Sequence, residues 1–133
     1  MRIQSAYASV ICGLLLLDTV GAYAAPQSKP IPGYRCMMLN LTEQQSMDPL
    51  VHIPVRSAPS ESAPPVGWAG AVVAVREPMY VVNGFAQILF PNGRPVWIVA
   101  NILRPYRSVS DPAARCTPVV LPNGLVGFGA PAG

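Results

Sequence analysis

The sequence is poor in the groups that do chemistry. Its 133 residues include one histidine, His52, and six carboxylates, and 11% of the chain is charged, against about 25% in an ordinary globular domain. Apart from Asp18, which ends an N-terminal apolar run, the acids are Glu43, Asp48, Glu61, Glu77 and Asp111. Asp48 and Asp111 precede prolines in turns, Glu43 begins a helix and Glu61 sits in a polar loop. None of these placements suggests the carboxylate pair about 5 to 10 Å apart that glycoside cleavage needs. A serine, histidine and acid relay would have to use His52, whose neighbours Val51, Ile53 and Pro54 read as an edge strand. No phosphate loop, dinucleotide glycine motif or Cys-x-x-Cys pair occurs. A single histidine also leaves too few soft ligands for a tetrahedral metal shell. The expectation is a chain that is not an enzyme and carries neither metal nor cofactor.

Cysteine is scarce as well, with three in the chain. Met1-Arg2, the run "AYASVICGLLLL" and the small-x-small "AYA" at 22–24 make residues 1–24 a secretion signal. A retained anchor is the alternative, although the run falls short of the roughly 20 apolar residues that span a bilayer. Cys12 leaves with the signal. That leaves Cys36 and Cys116 in a chain bound for the periplasm or the exterior, where two cysteines make one disulfide. Closing a loop of about 80 residues restricts the unfolded chain by about 4 to 5 kcal/mol. No integral membrane segment is expected once the signal is removed.

Positive charge is present without being gathered. The formal net charge is +3, carried after the signal mainly by Arg35, Arg56, Arg76, Arg94, Arg104, Arg107 and Arg115, which are scattered and form no block. Tracking a phosphate backbone requires cations collected on one face, so a nucleic-acid partner is not expected.

Proline and β-type residues are what the chain has in quantity. "APQSKPIPGY" opens residues 25–49 as a Pro-rich extended leader. Thr42 with Gln45 then forms a capping-box pattern, closed by Asp48-Pro49 after little more than one turn. Such a helix is too short to persist alone and is expected to lean on the body of the domain. From Leu50 onward, "LVHIPV", "AVVAV", "FAQILF", "PVWIVA" and "TPVVL" are short runs cut by turn signals. With sixteen prolines and eleven glycines, they argue for a small all-β barrel or sandwich. Asn92-Gly93 in "FPNGRPVW" reads as a two-residue hairpin turn with positive φ at both positions. That turn would set Leu89 opposite Val96, Ile88 opposite Trp97 and Ala86 opposite Val99, with the tip projecting beyond the sheet. "VLPNGLVGFG" repeats the device, so residues 107–133 form a C-terminal extension with a second hairpin.

The order of features from His52 to Tyr106 resembles the bacterial SH3-like family of extracytoplasmic domains. The resemblance is carried by "IPVRSAPSESAPPVGWAG", "FAQILFPNGRPVWI" and "NILRPY", the last standing where such domains make a short helical turn before their final strand. It implies an SH3-like β-barrel over residues 50–106, with extensions at both ends joined by the disulfide. It also implies an aromatic-lined groove for a peptide, a cell-wall fragment or an envelope protein, with Tyr80 and Trp97 reaching the groove and Arg56 as their charged partner. Ala58, Phe85 and Val96 depart from the family pattern and alter what lines such a groove. "AVVAV" and "PVWIVA" are apolar on both faces, so something must cover the outside of the barrel. The candidates are the flanks "CMMLNL" and "CTPVVL", drawn in by the disulfide, or a second subunit in an oligomer.

Overall fold

The computed structural model describes residues 28–129. The signal segment lies outside the described residues. The described chain is all-β apart from one short α-helix and one 3-10 turn, and its strands pair antiparallel. In order they are β1 (Lys29–Pro30), β2 (Tyr34–Leu39), α1 (Glu43–Met47), β3 (Pro54–Arg56), β4 (Pro65–Trp68), β5 (Val72–Arg76), β6 (Val81–Val82), β7 (Phe85–Leu89), β8 (Pro95–Val99), the 3-10 turn Ala100–Ile102, β9 (Leu103–Pro105), β10 (Thr117–Val120) and β11 (Val126–Gly129).

The large sheet runs β4-β3-β8-β7-β5-β2-β9, with β6 attached to β7, and a small sheet runs β1-β10-β11. Alternation along the strands of the large sheet turns Met37, Leu39, Val55, Val73, Val75, Ala86, Ile88, Val96 and Ile98 to one side, where they form a single buried cluster. Ala69, just past β4, and Leu103, in β9 at the other end of the strand order, pack against that same cluster. A sheet whose two ends reach one core must curl around it.

Two departures from expectation concern the chain before residue 50. "CMMLNL" is not an outer cover: Tyr34–Leu39 is a strand of the large sheet, between β5 and β9. Its alternation is hidden because Cys36 and Ala74, which pair across β2 and β5, are buried on the outer face while their neighbours are buried on the inner one. Part of the Pro-rich leader is also a strand, since Lys29–Pro30 pairs with β10 and Ile31 N–H donates to the Pro118 carbonyl at 2.9 Å. Pro30 is tolerated there because β1 is an edge strand.

The second flank does serve as a cover. Cys36 and Cys116 are bonded, with Cα atoms 5.9 Å apart and a sequence separation of 80, and the bond ties the middle of β2 to the residue preceding β10. β10 packs against β2, and Pro118 and Val119 are buried in it. The outer apolar row at Cys36 and Ala74 is thereby shielded by the chain itself.

The turns differ from expectation in an informative way. Asn83-Gly84 joins β6 to β7 as a two-residue turn, with φ of 52° and 79° between the paired Val82 and Phe85. At "FPNGR" the loop has three residues: Phe90 N–H donates to the Arg94 carbonyl, Gly93 N–H donates to the Phe90 carbonyl, and only Gly93 has positive φ, 82°. Proline holds φ near −65°, which suits the first central position of an ordinary turn, and the glycine then forms the bulge that closes it. "LPNGL" repeats this geometry through Gly124 and Leu121. The β7–β8 register is therefore one residue off the expected one: Leu89 faces Pro95, Ile88 faces Val96, Gln87 faces Trp97 and Ala86 faces Ile98.

The capping box at α1 forms, with Gln45 N–H donating to Thr42 Oγ1 at 3.1 Å and Thr42 N–H to Gln45 Oε1 at 2.9 Å. The helix does not lean on the core, however, because none of its residues is buried. It is anchored instead by Leu41, which packs on the cluster, and by Asn40 N–H donating to the Ile102 carbonyl at 2.6 Å.

If loop closure is the role of the disulfide, the double substitution Cys36→Ser/Cys116→Ser should lower the unfolding free energy by about 4 to 5 kcal/mol in urea denaturation, and a loss under about 1 kcal/mol would show that the small sheet docks without the bond.

Candidate functional site

A one-residue shift of register moves a side chain to the opposite face of a sheet. Pairing Trp97 with Gln87 puts it on the outer face, away from Ile88 and the core. Across the next ladder Trp97 pairs with Arg56 of β3, and the register of β3 against β4 breaks between Val55 and Arg56, a bulge that bends the strand there. Beyond Gln87, β5 stops pairing with β7 at Val75 and Ile88. Tyr80 takes its place on that edge, its carbonyl accepting from Gln87 N–H at 3.0 Å. Arg76, the last residue of β5, reaches across to Gln87 Oε1 at 3.1 Å and pairs with Tyr34 of β2.

These contacts line up Arg56, Trp97, Gln87, Tyr80, Arg76 and Tyr34 across the outer face. The Tyr80 and Trp97 rings have centroids 5.6 Å apart at 52°, within the range of favourable tilted packing. The Arg76 guanidinium lies 5.0 Å from the Tyr80 ring centroid, a cation–π arrangement. Arg56 donates to the Ala63 carbonyl at 2.8 Å. Both guanidinium groups are thus oriented by neutral oxygens, and each keeps further N–H donors and its full charge. Tyr80 remains 46% exposed, so the aromatic pair is open to solvent.

The three residues expected to form the groove, Tyr80, Trp97 and Arg56, are therefore brought together. Arg76, Gln87 and Tyr34 join them without having been singled out from the sequence. Arg76 is one of several scattered arginines until the strands are aligned, so only the register could have marked it. The other aromatics go elsewhere. Trp68 lies on the edge strand β4, 57% exposed, with its ring 5.1 Å from that of exposed His52. Phe85 is buried, and Phe90 packs on the core so close to Gly67 that a Cβ there would lie 2.6 Å from the ring. Tyr106 lines a hollow beside the disulfide.

The hairpin tip at Asn92 and Gly93 is exposed, but its base is held, since Val126 N–H donates to the Pro91 carbonyl at 2.8 Å. An apolar cleft of about 170 Å³ opens beside it, lined in part by Trp68, Phe90, Val126 and Phe128. Among the described residues no group of three His, Cys, Asp or Glu is placed to hold a metal ion, and no helix is long and apolar enough to cross a membrane.

No protein-family model, curated protein or solved structure matches the chain.

A double-mutant cycle on Tyr80→Ala and Trp97→Ala should give a coupling of about 0.5 to 1.5 kcal/mol in unfolding free energy, and strictly additive losses would mean that the two rings do not support one another.

Proposed function

We propose that the chain is a non-catalytic binding module of the bacterial cell envelope, secreted or periplasmic, in which an SH3-like sheet presents the Tyr80–Trp97 pair and Arg56 to a peptide, a wall glycopeptide or an envelope protein. The observation that carries this reading is the Trp97 register. It sets two packed rings on an exposed face, beside an oriented cation. Aromatic rings supply large contact area at little conformational cost and recur in grooves that take extended peptides. The Cys36–Cys116 bond suits an oxidising compartment, which supports export.

A second reading, a structural or assembly subunit, draws on a different surface. Leu125 and Phe128 of the small sheet's hairpin are 45% and 40% exposed, and β11 is an edge strand. Such an edge could pair with another chain. Size exclusion with light scattering separates the two, because the binding-module reading expects a monomer and the assembly reading a stable oligomer.

In pull-downs from envelope extracts, the Tyr80→Ala/Trp97→Ala chain should lose the partners that the parent chain retains, provided circular dichroism shows an unchanged β signature. Retention of every partner would move binding off the outer face.

A further inference from the structure

The charge and spacing of the row narrow the ligand. We infer that the outer face selects an extended acidic peptide carrying two carboxylates four residues apart with an apolar side chain midway. This rests on the outer-face reading above and deepens it.

The row has a cation at each end. Arg56 stands on β3 and Arg76 on β5, with β8 and β7 between them. Three inter-strand steps of about 4.8 Å put their backbones about 14 Å apart. An extended peptide advancing about 3.4 Å per residue crosses that distance in about four residues, and residues i, i+2 and i+4 point to the same side. The positions facing the sheet would then meet Arg56, the Tyr80–Trp97 pair and Arg76 in turn.

The chemistry fits that order. Each guanidinium is already oriented by one neutral acceptor, Ala63 for Arg56 and Gln87 for Arg76, so a carboxylate can be received by its remaining donors with little further ordering. Between them the exposed Tyr80 ring and half-buried Trp97 offer an apolar platform. A continuous polyanion, by contrast, is held by cations repeated along its path, and here the centre of the path is aromatic and uncharged. Glu77 follows Arg76 in the chain and lines a hollow together with Tyr34, Arg76 and Tyr80. An acid placed beyond Arg76 would meet that carboxylate, which limits the ligand to the span between the arginines.

The test uses synthetic peptides titrated into the disulfide-bonded full chain at low salt, followed by NMR shifts of the Trp97 indole and by the dissociation constants. The probes are N-acetylated, C-amidated Glu-Ala-Leu-Ala-Glu, its Gln-Ala-Leu-Ala-Gln and Lys-Ala-Leu-Ala-Lys counterparts, and Glu-Ala-Leu-Glu as a spacing control. The first should bind tighter than the glutamine peptide by roughly five-fold per carboxylate, as for exposed ion pairs near their upper limit, and the advantage should shrink in salt. Arg56→Gln/Arg76→Gln should abolish that preference, so that the glutamate and glutamine peptides bind the variant alike, and with the parent chain the spacing control should exceed the glutamine peptide by no more than the roughly five-fold of a single carboxylate.

Equal binding of all the peptides, still lost in Tyr80→Ala/Trp97→Ala, would overturn the acid preference and leave the outer-face reading standing. Failure of every peptide would overturn the inference, and the envelope pull-down then reports separately on the broader reading. Tighter arginine-dependent binding to phosphatidylglycerol vesicles than to any peptide would also overturn it, by making a lipid surface the ligand.

Discussion

The direction in which Trp97 faces depends on the ring of Pro91. A two-residue turn on Asn92-Gly93 would make Pro91 and Arg94 its closing pair, and proline has no N–H to donate across that pair, whereas it fits the first central position of an ordinary turn. The loop therefore gains a residue, Gly93 absorbs the closing bulge at φ 82°, and the whole of β8 is displaced by one position against β7. In the tighter register Trp97 would have faced the same side as Ile88, into the core. In the observed one it lies beside Gln87 on the outside, within 5.6 Å of the Tyr80 ring. Everything read as a site follows from that displacement.

A sheet this small cannot hide all its apolar residues on one face. Its inner side is filled by nine residues from five strands, and its outer side divides into two zones along the strands. Near Cys36 and Ala74 the surface is apolar and closed over by β10, which the disulfide holds against β2. Two residues further along β2 and β5, at Tyr34 and Arg76, the cover ends and the row of aromatic and cationic groups begins. The bond thus does more than restrict the unfolded chain, since it keeps a second sheet over the part of the outer face that water would penalise and leaves the adjoining part open.

Much of the local structure was legible from residue types. The capping box of Thr42 and Gln45, the Cys36–Cys116 pairing, the β-rich body and the C-terminal hairpin rest on short-range chemistry, and each is present. The departures have separate causes. "CMMLNL" hides its place in a strand because Cys36 is buried on one face and Met37 on the other, which erases the alternation that marks a half-exposed strand. At Asn92-Gly93 the preceding proline lengthens the loop to three residues, whereas Asn83-Gly84, with valine before it, forms the two-residue turn. The helix was expected to pack on the core, yet its neighbour Leu41 supplies the anchor.

The amino-acid sequence by itself determined which segments extend, where they turn and which two sulfurs meet, because these depend on side chains near one another in the chain or on a choice among very few cysteines. Tyr34, Arg76 and Gln87 enter the outer-face row beside Arg56, Tyr80 and Trp97 only through the tertiary structure. They come from separate stretches of chain, and no local property marks them as neighbours. Their alignment is set by strand order and register, and register in turn responds to a single residue added in a loop.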